Sequence, residues 1–110
     1  VDVKLLNGTV EMMMLDVISG GPTYGYEIVQ TVFSRSNGQF ELKEGSLYPA
    51  LHRLERQGFL EAYWTEQDGR RRKYYKLTAA GKKALADRRK EWKAFSTGVN
   101  GVLGLEYGLT

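Results

Sequence analysis

Four consecutive cations, Arg70, Arg71, Arg72 and Lys73, follow Gly69, and Lys82, Lys83, Arg88, Arg89 and Lys90 come soon after. The first forty-two residues hold only Lys4 and Arg35 as basic groups. Guanidinium and ammonium groups gathered in this way suit a polyanion. Each offers several N–H donors to phosphate oxygens, and a one-sided positive field attracts the partner over distance. The formal net charge is only +3, from 16 Lys and Arg against 13 Asp and Glu, so the distribution says more than the total. Residues 70–73 as a merely solvated turn is the alternative; four adjacent cations in so short a chain favour phosphate contact.

A second polar group lies upstream at Lys43, Ser46, Tyr48, His52, Arg53 and Arg56. Arg53 and Arg56 either solvate a helix or reach DNA, and the basic stretch downstream favours DNA. Tyr48 combines a hydroxyl that can donate to phosphate with a ring that can pack beneath it, and structural packing is its competing role. Ser46 and Lys43 fall near a helix N-terminus, where backbone N–H groups favour an anion. Ser46 is also the expected N-cap of that helix, and the two roles are compatible. His52 is the only histidine, without a second His or a Cys for metal binding. A surface helix residue is its plainer reading, with a base or phosphate contact as the alternative.

Other chemistry is poorly supported. Glu27, Glu44 and Glu55 have no evident acid–base partner, and no phosphate loop, HExxH pattern or nucleophile elbow occurs. The expectation is a protein that is not an enzyme and holds no metal. Tyr63, Tyr74 and Tyr75 resemble aromatic interleaving for single-stranded nucleic acid, but strand packing explains them as well. With no cysteine, disulfides and thiolate sites are excluded, which fits a reducing compartment. Residues 1–6 contain no signal-like apolar run, and residues 10–18, broken by Glu11 and Asp16, are too short to span a bilayer. The expected setting is cytoplasmic, with no membrane partner.

The elements that must position these groups follow from periodicity. Leu6, Val10, Met13, Met14, Val17 and Ile18 recur at helical spacing, predicting a helix over 6–18 that stops at Ser19-Gly20-Gly21-Pro22. Thr23 is the expected cap of a second helix over 24–34, with Tyr24, Ile28, Val32 and Phe33 on its apolar side. Gly25 costs that helix propensity, which a close backbone crossing would explain. A third helix is expected over about 46–57, with Pro49 in its first turn, Leu47, Leu51 and Leu54 inward, and Gly58 closing it. The period then changes to two. Leu60, Ala62 and Trp64 share one strand face, Gln67-Asp68-Gly69-Arg70 reads as a hairpin bend, and Tyr75 and Leu77 return to the core. Thr78 can cap a last helix, where Leu85, Trp92, Phe95, Val99 and Val102 lie near a seven-residue rhythm. Gly98, Gly101 and Gly104 weaken its end.

The fold class is therefore mainly α with a small β-hairpin: a winged helix-turn-helix plus a long C-terminal dimerisation helix. The expected division is 1–78 for DNA binding, 79–104 for dimerisation and 105–110 as a loose tail. The third helix, about 46–57, can enter a major groove and the hairpin can meet phosphates or the minor groove.

Residues 44–55 (EGSLYPALHRLE), Gly58-Phe59-Leu60, residues 69–78 (GRRRKYYKLT) and Gly81 resemble the PadR-like family of bacterial transcriptional regulators. Residues 15–18 and 24–28 (YGYEI) agree, and the resemblance covers about 5–103. It implies a homodimeric winged-helix repressor of the short subtype, bound to palindromic double-stranded DNA. By that resemblance the third helix enters the major groove with Tyr48 near phosphate, and the wing at 69–73 lies on the backbone or in the minor groove. The long last helix crosses the partner's first helix, so Leu5, Leu6, Val10, Met13 and Met14 meet Leu85, Trp92, Phe95, Val99 and Val102. Some similar regulators accept flat aromatic compounds beside a tryptophan of the last helix. Trp92, with Met13 and Phe95, is the matching place for a planar, hydrophobic effector, and burial of Trp92 in the dimer is the favoured alternative. Two other classes stay open: a winged helix that binds a protein partner through the same surface, and a small-molecule-binding protein centred on Trp92.

Overall fold

The computed structural model describes residues 3–105 of the chain, with side chains from Gly8 onward. The elements are α1 (Val3–Ser19), β1 (Thr23–Tyr24), α2 (Gly25–Arg35), α3 (Glu44–Arg56), β2 (Leu60–Gln67), β3 (Arg70–Leu77) and α4 (Ala79–Leu103). The fold is mainly α-helical with a small sheet and a long C-terminal helix.

α1 is the central element. Val10, Met14, Leu15 and Ile18 fall on its inner side and are all buried. They meet Ile28 and Val32 of α2, Leu47, Ala50, Leu51 and Leu54 of α3, Tyr75 of β3 and Leu85 of α4 in one core. Each fully buried aliphatic side chain stabilises by roughly 1.5–3 kcal/mol, so this shared cluster is the main force that holds three short helices together.

The sheet contains a strand that periodicity did not reveal. β1 is only two residues long and pairs antiparallel with β3, through Thr23↔Tyr75 and Tyr24↔Tyr74. β3 is thus central, in the order β1-β3-β2. Thr23 is not the cap of the second helix: it is a buried strand residue, and the N-cap position belongs to Tyr24, which makes no side-chain cap bond. The Thr23 hydroxyl instead donates to Glu27 Oε1 at 2.5 Å, reaching into the first turn of α2 from one residue further back.

The hairpin bend has Asp68 at φ 51 and Gly69 at φ 76 between the paired residues Gln67 and Arg70. Two successive left-handed residues match the right-handed twist of the strands they join. Leu60↔Leu77, Ala62↔Tyr75 and Trp64↔Lys73 lie opposite one another on the core-side face. Phe33 departs from its expected inward place: it is 43 % exposed and packs over Gly38 in the turn that follows α2.

α3 starts earlier than the capping pattern suggests. Its N-cap is Lys43, without a side-chain cap bond, and Ser46 lies within the first turn, donating its backbone N–H to the Lys43 carbonyl at 2.9 Å. Pro49 therefore sits in the second turn. There the N–H it lacks would have paired with the Gly45 carbonyl, so the helix goes without one of its internal bonds. At the other end Gly58 takes φ 81, and the Phe59 N–H donates to the Leu54 carbonyl at 2.9 Å.

α4 begins at Thr78, whose hydroxyl accepts from Gly81 N–H at 3.0 Å and donates to the Gly58 carbonyl at 2.6 Å. The helix runs through Gly98 and Gly101 and closes at Gly104, φ 74, with Leu105 N–H donating to the Asn100 carbonyl at 2.9 Å. Only its first turns are packed. Its far half extends from the body, giving extents of 54 × 29 × 27 Å.

Candidate nucleic-acid interface

The buried residues of α3 recur on one side, at Leu47, Ala50, Leu51 and Leu54. That burial turns Tyr48, His52 and Arg56, each four residues from the next, onto one exposed row. Lys43 is exposed at the N-terminal end and pairs with Glu41 at 3.3 Å, while Ser46 is half-buried. Arg53 is also exposed but is already engaged: its Nε donates to Glu11 Oε2 of α1 at 2.8 Å. Arg56 has no such tether among the described residues and shares a shallow depression with His52 and Glu55.

Tyr48 owes its position to Gly25. Its ring rests against the first residue of α2, in space that any side chain there would fill. The close approach expected from a helical glycine is thus made by a side chain of α3.

The four wing cations divide by strand alternation. Arg71 and Lys73 share the face of Trp64, with Arg71 Cζ 4.6 Å and Lys73 Nζ 6.0 Å from the ring centre. Arg72 lies on the opposite face, 4.1 Å over the Tyr24 ring. Arg70 also points to that face and is exposed, next to the bend. The Arg72 face continues as a row of tyrosines across the sheet: Tyr24–Tyr74 at 5.3 Å and Tyr74–Tyr63 at 5.8 Å. Strand packing thus accounts for these tyrosines. Lys73 Nζ lies 3.8 Å from Glu55 of α3, which links the base of the wing to the helix beside it. Tyr75 is buried beneath, and burial, then the carboxylate of Glu55 and the phenol of Tyr48, push its hydroxyl above its ordinary pKa.

Sequence reasoning missed three supports: Trp64 under Arg71, Tyr24 under Arg72 and Glu11 behind Arg53. Strand alternation and the hairpin register could have found the first. The other two join residues far apart in the chain, and no local spacing signals them.

The expected dimer residues separate into two groups. Val10, Met14 and Leu85 lie in the protomer's own core, because the broad stripe of α1 faces α3, β3 and α4 at once. Trp92, Phe95, Val99 and Val102 are exposed on α4, Val102 at 88 %. The side chains of Leu5 and Leu6 lie outside the described residues. Met13 and Trp92 line an open groove of about 810 Å³ between α1, α2 and α4, together with Val17, Val32 and Phe40. Phe95 is not among its lining residues, although its ring is 5.9 Å from that of Trp92. Among the described residues no cluster of His, Cys, Asp or Glu could hold a metal ion, and no helix is long and apolar enough to cross a membrane.

Comparison with known proteins bears on this arrangement. The sequence profile of the transcriptional regulator PadR-like family matches residues 14–87, from the middle of α1 through the wing into α4. The chain belongs to the PadR-like family of transcriptional regulators. It is a DNA-binding regulator with a winged helix-turn-helix fold, not an enzyme. This PadR-like chain is 39% identical over 89 residues to an uncharacterized protein of Lysinibacillus sphaericus, covering 80% of the chain and 82% of that relative. Over 51 residues it is 43% identical to a transcriptional regulator of Mycobacterium tuberculosis, covering 46% of the chain and 48% of that protein. Among solved structures, a transcriptional regulator from Clostridium thermocellum superposes with a TM-score of 0.84 at 30% identity, covering 89% of this chain and 96% of that one. A PadR-like regulator from Bacillus cereus gives 0.80 at 32% identity, covering 94% and 99%.

Proposed function

We propose that this PadR-like regulator is a cytoplasmic, homodimeric repressor that places α3 in the major groove and its wing on the adjoining backbone or minor groove. The observation that carries this reading is the exposed row Tyr48, His52 and Arg56 on α3, tied through Glu55 and Lys73 to a wing tipped with Arg70 and Arg71. The row supplies groups for base edges and phosphates, and the wing cations supply contacts that position without specifying sequence. Ser46, Lys43 and Arg53 flank the row. In this reading residues 1–78 bind DNA, and the helix that follows brings two copies together through its exposed apolar residues. Two copies related by a twofold axis read two half-sites about one helical turn apart, so the operator is an inverted repeat.

The test is selection from a randomised duplex pool by the full-length protein. Enrichment of an inverted repeat, bound far more tightly than random duplex, is the expected result. A protein that enriches nothing, at low or physiological salt, would refute the DNA reading and favour a protein partner on the same surface.

The groove lined by Met13 and Trp92 favours a second, compatible property: binding of a planar hydrophobic effector. Such a compound should quench tryptophan fluorescence. Trp64 also fluoresces, so the quenching must vanish in Trp92→Phe for the assignment to stand.

A further inference from the structure

One carboxylate on α1 holds an arginine from α3 and an arginine from α4. Glu11 Oε2 accepts from Arg53 Nε at 2.8 Å, and Glu11 Oε1 accepts from Arg88 Nη1 at 3.4 Å. The side chains of Glu11 and Arg88 are only 16% and 27% exposed, so their attraction is less screened than that of a surface pair. Arg53 is 46% exposed. Its Nε is engaged with Glu11, and the terminal amino groups of its guanidinium are the donors that remain for DNA.

α4 also reaches the end of α3 by a second route. Thr78 N–H donates to the Phe59 carbonyl at 3.1 Å, and Arg88 Cζ lies 5.7 Å from the Phe59 ring centre. The base of α4 is therefore coupled to α3 twice, through the backbone at Gly58 and Phe59 and through the shared carboxylate of Glu11.

We propose that Glu11 is a positioning residue through which α4 sets the place and freedom of Arg53 on the DNA-facing surface. This rests on the reading that α3 meets DNA. The physical content is competition for one charge. With Arg88 in place, Glu11 divides its attraction between two guanidinium groups. Without Arg88, Glu11 holds Arg53 alone, and its negative charge is less compensated beneath α3; specific DNA affinity falls. Without the charge of Glu11, Arg53 is released; affinity for arbitrary duplex rises while discrimination falls. A movement of α4 relative to α1 alters the same balance.

The experiment is a double-mutant cycle on the full-length protein, using the duplex that the wild type selects from a randomised pool. Arg88→Met should weaken specific binding by about fivefold or more in the wild-type background, a typical size for coupling between sites. In an Arg53→Met background the change should shrink to less than about twofold, with both backgrounds measured at the same lowered salt if binding is too weak. Lys90→Met removes the same charge from α4 and should act equally in both backgrounds. Glu11→Gln should raise affinity for random duplex and lower the ratio of specific to random binding. Equal effects of Arg88→Met in both backgrounds, or a lowered Tm with unchanged DNA binding, would reduce Glu11 to a structural ion pair and overturn the proposal. A wild type that selects no duplex would instead overturn the DNA reading itself.

Discussion

Tyr48 occupies the space denied to a side chain at Gly25. A Cβ on Gly25 would lie 2.8 Å from the Tyr48 hydroxyl oxygen, 3.3 Å from its Cζ and 3.3 Å from Leu47 Cδ2. The first residue of α2 and the exposed row of α3 are thus fitted to each other. The glycine costs helix propensity and in return lets the tyrosine lie close.

Gly25→Ala should accordingly separate binding from stability. Tyr48 is 41 % exposed, so its ring can swing outward, and alanine recovers up to about 1 kcal/mol of helix propensity. Thermal unfolding should shift little. DNA affinity should fall by roughly tenfold, the worth of one charge-assisted hydrogen bond to phosphate. Fluorescence anisotropy beside a melting curve checks both halves.

Gly81→Ala should behave oppositely. A Cβ there would lie 2.1 Å from the Phe59 carbonyl oxygen, which is backbone and already accepts from Thr78. Neither strand β2 nor helix α4 can move aside without disturbing the core packed beneath them. Overpacking of this kind costs about 1–3 kcal/mol, and a drop in Tm of about 10 °C is expected by calorimetry.

Within the wing, the cations should not be equivalent. Arg71→Ala should weaken binding to all duplexes alike and lower the slope of log affinity against log salt by about 0.9, the value for one phosphate that the protein no longer neutralises. Arg72→Ala should do this and also loosen Tyr24, which its guanidinium covers at 4.1 Å. An Arg72→Ala protein with unaltered melting temperature would show that the stack contributes nothing to the fold.

Tyr75 predicts a loss of stability in alkali. Burial holds its phenol protonated above the value of about 10 at which the unfolded chain ionises. Below that value the contribution is fully present. As pH rises from about 10 through the raised folded value, the unfolded state sheds a proton that the folded state keeps, and stability falls. Urea unfolding over that range should show the decline, and Tyr75→Phe should flatten it.

The exposed half of α4 should govern assembly. Val102 is 88 % exposed on a helix that carries Trp92, Phe95 and Val99 at the same rhythm. Val102→Glu should shift sedimentation toward the monomer while the helical circular dichroism of the protomer persists. An unchanged sedimentation coefficient would move the interface elsewhere.

Much of the fold was legible locally. The apolar spacing of Leu47, Leu51 and Leu54, the Gly58 stop, and the Asp68-Gly69 bend each encode their structure within a few residues, because helix period, left-handed glycine and turn chemistry are short-range properties. Strand alternation also carried Tyr75 inward correctly. Three expectations went astray where local signals compete. Thr23 had the chemistry of a cap, but pairing with Tyr75 drew it into a strand. Ser46 had the same chemistry, yet α3 gained one more turn before it. Phe33 is apolar, but the turn at Gly38 gave its ring a surface outside the core.

What the chain order could not express is which distant residues meet. Glu11 and Asp16 looked like interruptions of an apolar run. In the folded protein Glu11 joins Arg53 to Arg88, and Asp16 joins Arg35 at 3.3 Å to Arg89 at 2.8 Å. Likewise, Val10, Met14 and Leu85 read as candidates for a subunit contact until packing turned them into the protomer's own core. A residue's type and its near neighbours specify the helix, strand or turn it can join. Which charge it neutralises and which surface it leaves open depend on how those elements pack, since Coulomb attraction and burial act across space rather than along the backbone.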